Sequence, residues 1–447
     1  MEISRRLALF ALILAAGVAP YRAVAQAGAP QKTTVAVTTA EPAQVAPTNP
    51  QPAYMLPPEK LAKAIALNRI RNILTIIESI WGLVFVWLLL ATRAWATVER
   101  LAERISTRRW VQGIVFFAAF FLISQVAGLP LDLIGHHYGR AYGISVQGWA
   151  SWFGDQAKDL GLTLVFGTAI LLLFNWIVRR WPRRYWLGLW LVTLPILALS
   201  IIVGPLVVPL YYKQEPLQKN HPALVAQLQK VVARTGINIP PERMYLMEAS
   251  AKSNGLNAFV AGMGATKRIV VWDTTAGRIP DDEVQFIFGH ECGHYVLRHI
   301  PKMFLGSAVG LFFVYWACAA LAAWMVRRFG ARWGAAEPAS RSGFIVLLFA
   351  ISIVSFFLTP VQNSFSRHYE HQADVFGQEA IHGIVPDPQK TSVAAFNALG
   401  EAWLEDPNPS PFIEFWFYSH PSVLHRAEFA AHYDPWANGG HGEFFQK

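Results

Sequence analysis

Long apolar runs separated by short basic connectors dominate the chain. Six runs, at about residues 73–91, 111–128, 160–178, 186–207, 303–326 and 344–360, carry almost no charge. Each has roughly the 17–24 residues needed to cross a hydrocarbon core of about 30 Å. Buried helices of a large soluble protein would show polar faces, and these runs show none. Between the fourth and fifth runs, residues 208–302 follow a different pattern. A helical period at 221–234 gives way to short β-prone runs at 244–249, 257–262 and 269–273, with Gly264-Ala265-Thr266-Lys267 as a hairpin turn. After Pro280 the period becomes helical again through His299.

Charge orients the spans. The first connector holds Arg93, Arg100, Arg104, Arg108 and Arg109, the second Arg179, Arg180, Arg183 and Arg184, the third Arg327, Arg328, Arg332 and Arg341. Short loops rich in Lys and Arg stay in the cytoplasm, and all three follow an odd-numbered span. One topology satisfies them together, with 129–159, 208–302 and 361–447 outside. The net charge of +9 is thereby explained, and nucleic acid is not expected as a partner. Composition agrees: 53% hydrophobic and 15% charged residues, with mean hydropathy +0.31, describe a membrane protein. Two cysteines, Cys292 and Cys318, make no disulfide framework.

The N-terminus shows Arg5-Arg6, an apolar run over 7–18 and small residues ending Ala23-Val24-Ala25, the order of a secretory signal peptide. An uncleaved first helix is the alternative. The expected organisation is therefore a signal peptide at 1–25, a flexible Ala/Pro/Thr/Gln-rich tail at 26–58 and four spans at 59–207. A folded outer subdomain at 208–302, two further spans at 303–360 and a C-terminal part at 361–447 follow. Within the spans, Glu78 and Asn175 either line a chamber or make a helix–helix hydrogen bond. Pro195, Gly204, Pro205 and Pro209 are expected to break the fourth span, or to kink it where it leaves the membrane.

The chemistry-bearing element is His290-Glu291-Cys292-Gly293-His294. Imidazoles at i and i+4 lie on one helix face and can chelate one zinc, with Glu291 beside them as base. The alternative is a surface helix with two unrelated histidines, but apolar Val284, Phe286, Ile287 and Phe288 lead into the motif and bury it. A third protein ligand is required. The last span runs into Ser366-Arg367-His368-Tyr369-Glu370-His371-Gln372-Ala373-Asp374. Glu370 is a candidate ligand, with Asp374 one turn on as hydrogen-bond partner of an imidazole; by residue type His368 and His371 compete.

The chain resembles the integral-membrane CAAX prenyl endopeptidases, zinc proteases with a glutamate third ligand. The likeness rests on His290–His294, on Ser366-Arg367…Glu370…Ala373-Asp374 and on Tyr418-Ser419-His420-Pro421…Arg426. It extends to Ser253-Asn254…Asn257-Ala258-Phe259 before Arg268-Ile269-Val270-Val271, and to Gly128-Leu129-Pro130. It covers the chain from about residue 55 onward. The resemblance implies a predominantly α, polytopic membrane fold with a gluzincin-like protease domain holding a small β-sheet. It also implies one zinc held by His290, His294 and Glu370, with Glu291 as general base. His420 and Arg426 would contact the substrate carbonyl or the oxyanion, and Asn257, Ala258 and Phe259 would form the edge against which a peptide pairs. The family's helices enclose a water-filled chamber.

Two departures limit the transfer. The family has seven membrane helices, and here a signal segment takes the place of the first. Its prenyl-processing members present zinc to the cytoplasm, whereas the arginines here place it outside. The expectation is a zinc endopeptidase at the periplasmic face of a bacterial inner membrane, acting on peptides or membrane-associated proteins. The rivals are a non-hydrolytic binding or quality-control module on the same fold, and a transporter with a fortuitous motif. Arg298 and His299 place the motif helix at the membrane surface, against an intramembrane protease.

Overall fold

The computed structural model describes residues 52–262, 267–335, 337 and 339–446. The signal segment, most of the tail and the tip of the hairpin turn lie outside these residues. The membrane part comprises α1 (Pro58–Ala91), the short α2 (Ala94–Ile105), α3 (Arg109–Ala141), α4 (Trp149–Leu162), α5 (Thr168–Arg180) and α6 (Tyr185–Val207). A π-turn, Thr163–Gly167, joins α4 to α5 as one continuous rod. The outer segment then contributes β1 (Gln214–Pro216), α7 (Pro222–Thr235), β2 (Met244–Met247), β3 (Ala258–Ala261), β4 (Arg268–Trp272) and α8 (Asp281–Val296). Two long helices, α9 (His299–Trp333) and α10 (Arg341–Ile381), re-cross before α11 (Pro388–Trp403), α12 (Pro411–Phe417) and α13 (Val423–His432). Six helices among the described residues are long and apolar enough to cross a membrane, and each contains one of the six apolar runs.

The three basic connectors meet at one end. Arg93 Nε donates to the Arg332 carbonyl at 2.9 Å, and the N–H groups of Arg341 and Ser342 donate to the Glu99 carboxylate at 3.1 Å each. That carboxylate satisfies N–H groups at the start of α10 that no helical carbonyl can reach. Val178 and Pro182 of the second connector's flank line one cavity with Glu337 and Ala339 of the third.

At the other end the sheet runs β1-β2-β4-β3. β2 and β4 are parallel, whereas β3 pairs antiparallel with β4 as a hairpin requires. β3 is an edge. Behind the sheet one core gathers Leu228 and Val231 of α7, Val284, Phe286 and Phe288 of α8, Phe376 of α10 and Phe396 of α11. Each side chain of this size contributes about 1.5–3 kcal/mol when fully buried. A second core, around Phe116, Phe174, Tyr315 and Phe344, packs the spans together. Outward-facing Val126, Leu199, Phe313 and Trp316 stay more than half exposed, as lipid-facing side chains do.

Several expectations need revision. α6 runs through Pro195 and Pro205 and ends only at Val207, because a membrane helix can re-satisfy the freed carbonyls locally. Tyr54 and Leu56, assigned to the flexible tail, are buried in the protease core, and the Tyr54 hydroxyl donates to the Glu405 carbonyl at 3.0 Å. Asn175 is buried, with no hydrogen-bond partner for its Nδ2 among the described residues, so it does not line a wet chamber. β1 escaped the pattern because three polar or proline residues carry no alternation. The helix expected through His299 stops at Val296, and Arg298 turns the chain in the left-handed region (φ 57°).

Candidate metal centre

α8 starts after Pro280 with Asp281, Asp282 and Glu283 in its first turn, where carboxylates favour the positive end of the helix dipole. Its apolar side chains sink into the core and leave His290 and His294 on one face, their Nε2 atoms 3.2 Å apart. α8 crosses α10 where two glycines meet. A Cβ on Gly377 would lie 2.8 Å from the His290 nitrogen, and one on Gly289 would lie 3.1 Å from the Gly377 carbonyl. Only glycine permits so close an approach. It brings Glu370 of α10 to the histidines, with Oε2 3.4 Å from His290 Nε2 and Oε1 3.7 Å from His294 Nε2.

The residues fit zinc. Ligand atoms about 2.0–2.1 Å from a tetrahedral zinc stand about 3.4 Å from one another, close to the spacings here. His290, His294 and Glu370 form a cluster able to hold a metal, and Glu370 is buried. Two imidazoles and a carboxylate are also the donor set of zinc hydrolases. His368 and His371 are exposed and stand apart from the cluster. His371 lies against Phe429, with ring centroids 4.6 Å apart, and His368 lines a groove with Phe365 and Phe415.

Behind the cluster, Asp374 Oδ1 is 2.8 Å from His290 Nδ1. Burial alone would lower the pKa of His290, but hydrogen bonds to Asp374 and Glu370 outweigh it and push the metal-free group up to about 9. Arg426, expected at the substrate carbonyl or the oxyanion, has its guanidinium on Asp374, with Nε to Oδ2 at 2.9 Å and Nη2 to Oδ1 at 2.6 Å. Burial opposes its charge, yet the Asp374 carboxylate holds its pKa above the ordinary arginine value. Asp374 is 2% exposed, and a carboxylate that deep requires a cation.

His420, on the loop before α13, reaches the mouth of the cluster with Nε2 3.2 Å from Glu370 Oε2. Glu291 follows His290 and is partly exposed. β3 packs against α8, so the edge carrying Ala258 and Phe259 borders the motif helix. Asn257, just before it, accepts at its carbonyl from the Trp272 N–H (3.0 Å) and the Thr275 hydroxyl (2.8 Å). His299 is 1% exposed and lies against His294, with Nδ1 atoms 3.0 Å apart. Sequence reasoning used it only to keep the motif helix out of a span and missed this contact; a third histidine five positions after His294 was the available signal.

Comparison with known proteins agrees with this arrangement. Residues 218–434 match the model of peptidase family M48, and residues 42–213 match the CAAX prenyl protease N-terminal model, described by five membrane helices. The metalloprotease YhfN of Bacillus subtilis is 32% identical over 402 residues, covering 88% of this chain and 90% of its own. CAAX prenyl protease 1 of Saccharomyces cerevisiae is 24% identical, over 70% of this chain and 71% of its own. The crystal structure of Ste24p from S. mikatae shares the fold with a TM-score of 0.73 at 21% identity, covering 85% of this chain and 90% of that one. With family models over both halves and a relative aligned along nearly its whole length, the chain belongs to peptidase family M48 and is a multi-span membrane metalloprotease.

Proposed function

We propose that the protein is a zinc endopeptidase that hydrolyses peptide bonds at the outer face of a bacterial inner membrane. The observation that carries this reading is the convergence of His290 Nε2, His294 Nε2 and the Glu370 carboxylate within 4.8 Å of one another. Zinc bound by these three residues would lower the pKa of a water towards about 7 and polarise the scissile carbonyl. Glu291 accepts the proton of the attacking water and hands it to the leaving amine. His420, beside Glu370, donates to the charge that develops on the carbonyl oxygen. Asp374 holds the His290 ring through Nδ1, and Arg426 acts through Asp374 rather than on the substrate. The edge of β3, with Asn257 before it, offers backbone hydrogen bonds to an extended peptide with little demand on its sequence.

The arginine-rich connectors at one end support an orientation with the metal cluster outside. Peptides and membrane-associated proteins are the substrate class; the names of the prenyl proteases among its relatives do not carry a prenylated substrate to this chain. The test compares wild type with Glu291→Gln in sealed vesicles of both orientations, given an impermeant peptide. Both proteins hold zinc, the variant loses activity by about 10²–10⁴-fold, and only right-side-out vesicles cleave. Zinc without cleavage by either protein would favour a binding module, and cleavage only in inverted vesicles would reverse the orientation.

A further inference from the structure

Beside the metal cluster stands a buried histidine that the mechanism does not use. His299 opens α9 directly after the left-handed turn at Arg298, which swings its ring back under His294. The two rings stand nearly perpendicular, centroids 5.1 Å apart, with Nδ1 facing Nδ1 at 3.0 Å. On its far side, His299 Nε2 is 3.1 Å from Gln372 Oε1, and Tyr369 covers the ring at 4.7 Å. Two ring nitrogens at this distance share one hydrogen, and the direction of the chain decides whose it is. An amide oxygen only accepts, so His299 Nε2 carries a hydrogen. The neutral ring then leaves Nδ1 bare, and His294 Nδ1–H donates to it. That places the lone pair of His294 on Nε2, the atom in the metal cluster. The opposite direction would put a hydrogen on His294 Nε2, where no metal could bind.

We propose that His299, backed by Gln372, is a positioning residue of the metal site that fixes both the tautomer and the rotation of His294. The inference rests on the zinc reading above and assigns this ligand a support distinct from that of His290. Gln372 lies on α10 between Glu370 and Asp374, so this helix carries the third ligand, the partner of His290 and the residue that backs His299. Removal of such outer support typically weakens a metal site 10–100-fold.

The experiment measures equilibrium zinc affinity by chelator competition on full-length protein in detergent, for wild type, His299→Leu, His299→Asn and Gln372→Met. Thermal unfolding of each metal-stripped protein accompanies it. Asparagine offers a carbonyl oxygen near the place of Nδ1 and can accept from His294. The expected result is zinc binding weakened about 10–100-fold in His299→Leu and less in Gln372→Met, with recovery to within a few-fold of wild type in His299→Asn. Wild-type affinity in His299→Leu would overturn the proposal. So would equal losses in the Leu and Asn variants, which would mark the ring as packing alone. Should His299→Leu not fold, the half-buried Gln372→Met decides the matter by the same affinity criterion. Failure of wild type to bind zinc would overturn the site reading itself, an outcome distinct from an insensitive His299 variant.

Discussion

The two metal-site histidines sit on one helix four residues apart, yet they are held by opposite kinds of chemistry. His290 is backed by a buried ion pair, Asp374 with Arg426 across 2.6–2.9 Å. His294 is backed by the neutral pair His299 and Gln372. The charged arm runs inward to the protease core, where Arg426 lies over the Phe396 ring at 4.6 Å. The neutral arm runs to the junction where the chain leaves α8 for the membrane helix α9. At that junction an imidazole and an amide satisfy each other without burying a charge. The difference teaches that position in the fold, rather than ligand identity, selects the support.

The sharpest way to break this comparison is Arg426→Met. It strands the buried Asp374 carboxylate, and loss of one partner of a buried pair costs about 3–5 kcal/mol. The double variant Arg426→Met/Asp374→Asn removes the stranded charge and regains part of the loss. Chemical unfolding in detergent measures both, and a single-variant loss below about 1 kcal/mol would contradict the ion-pair reading. Gly377→Ala ranks next. Its Cβ would press on the His290 backbone, and overpacking of this kind costs about 1–3 kcal/mol. Gly161→Ala, with open space around its Cβ, serves as the control. Equal melting temperatures for the two variants would show that the close helix crossing is not needed.

The remaining prediction is a pH dependence of the charged arm. The His290 pKa is raised to about 9 in the metal-free protein, above an unfolded value of about 6.5. Its proton therefore stabilises the metal-free fold fully below pH about 6.5, and that stability is lost as pH rises towards 9. The same proton competes with metal. Zinc affinity should rise by roughly tenfold per unit between these values. Asp374→Asn, lacking the carboxylate, should flatten the upper part of that rise. Zinc titrations at several pH values test this, and identical slopes in wild type and variant would remove Asp374 as the cause.

The spans and the motif helix were legible in the sequence because they depend on local quantities. A run of about 20 apolar residues is a property of composition, and the i,i+4 spacing of His290 and His294 is a property of helical geometry. The strands at 244–249, 257–262 and 269–273 were legible for the same reason, to within two residues of Met244–Met247, Ala258–Ala261 and Arg268–Trp272. β1 was not, since its pairing with β2 depends on a neighbour and not on its own residues.

What the sequence by itself determined is thus the membrane-spanning class, the helix bearing His290, Glu291 and His294, and the short set of residues from which a third ligand could come. Only the tertiary structure decided among Glu370, His368 and His371, because rotation of α10 turns the first inward and leaves the other two exposed. It also turned Arg426 onto Asp374, buried Tyr54 and drew His299 beneath His294. The pairing of Arg426 with Asp374 joins positions 52 apart, and Tyr54 meets Glu405 across 351. Such contacts depend on how helices cross, here through Gly289 and Gly377, and no local periodicity encodes a crossing.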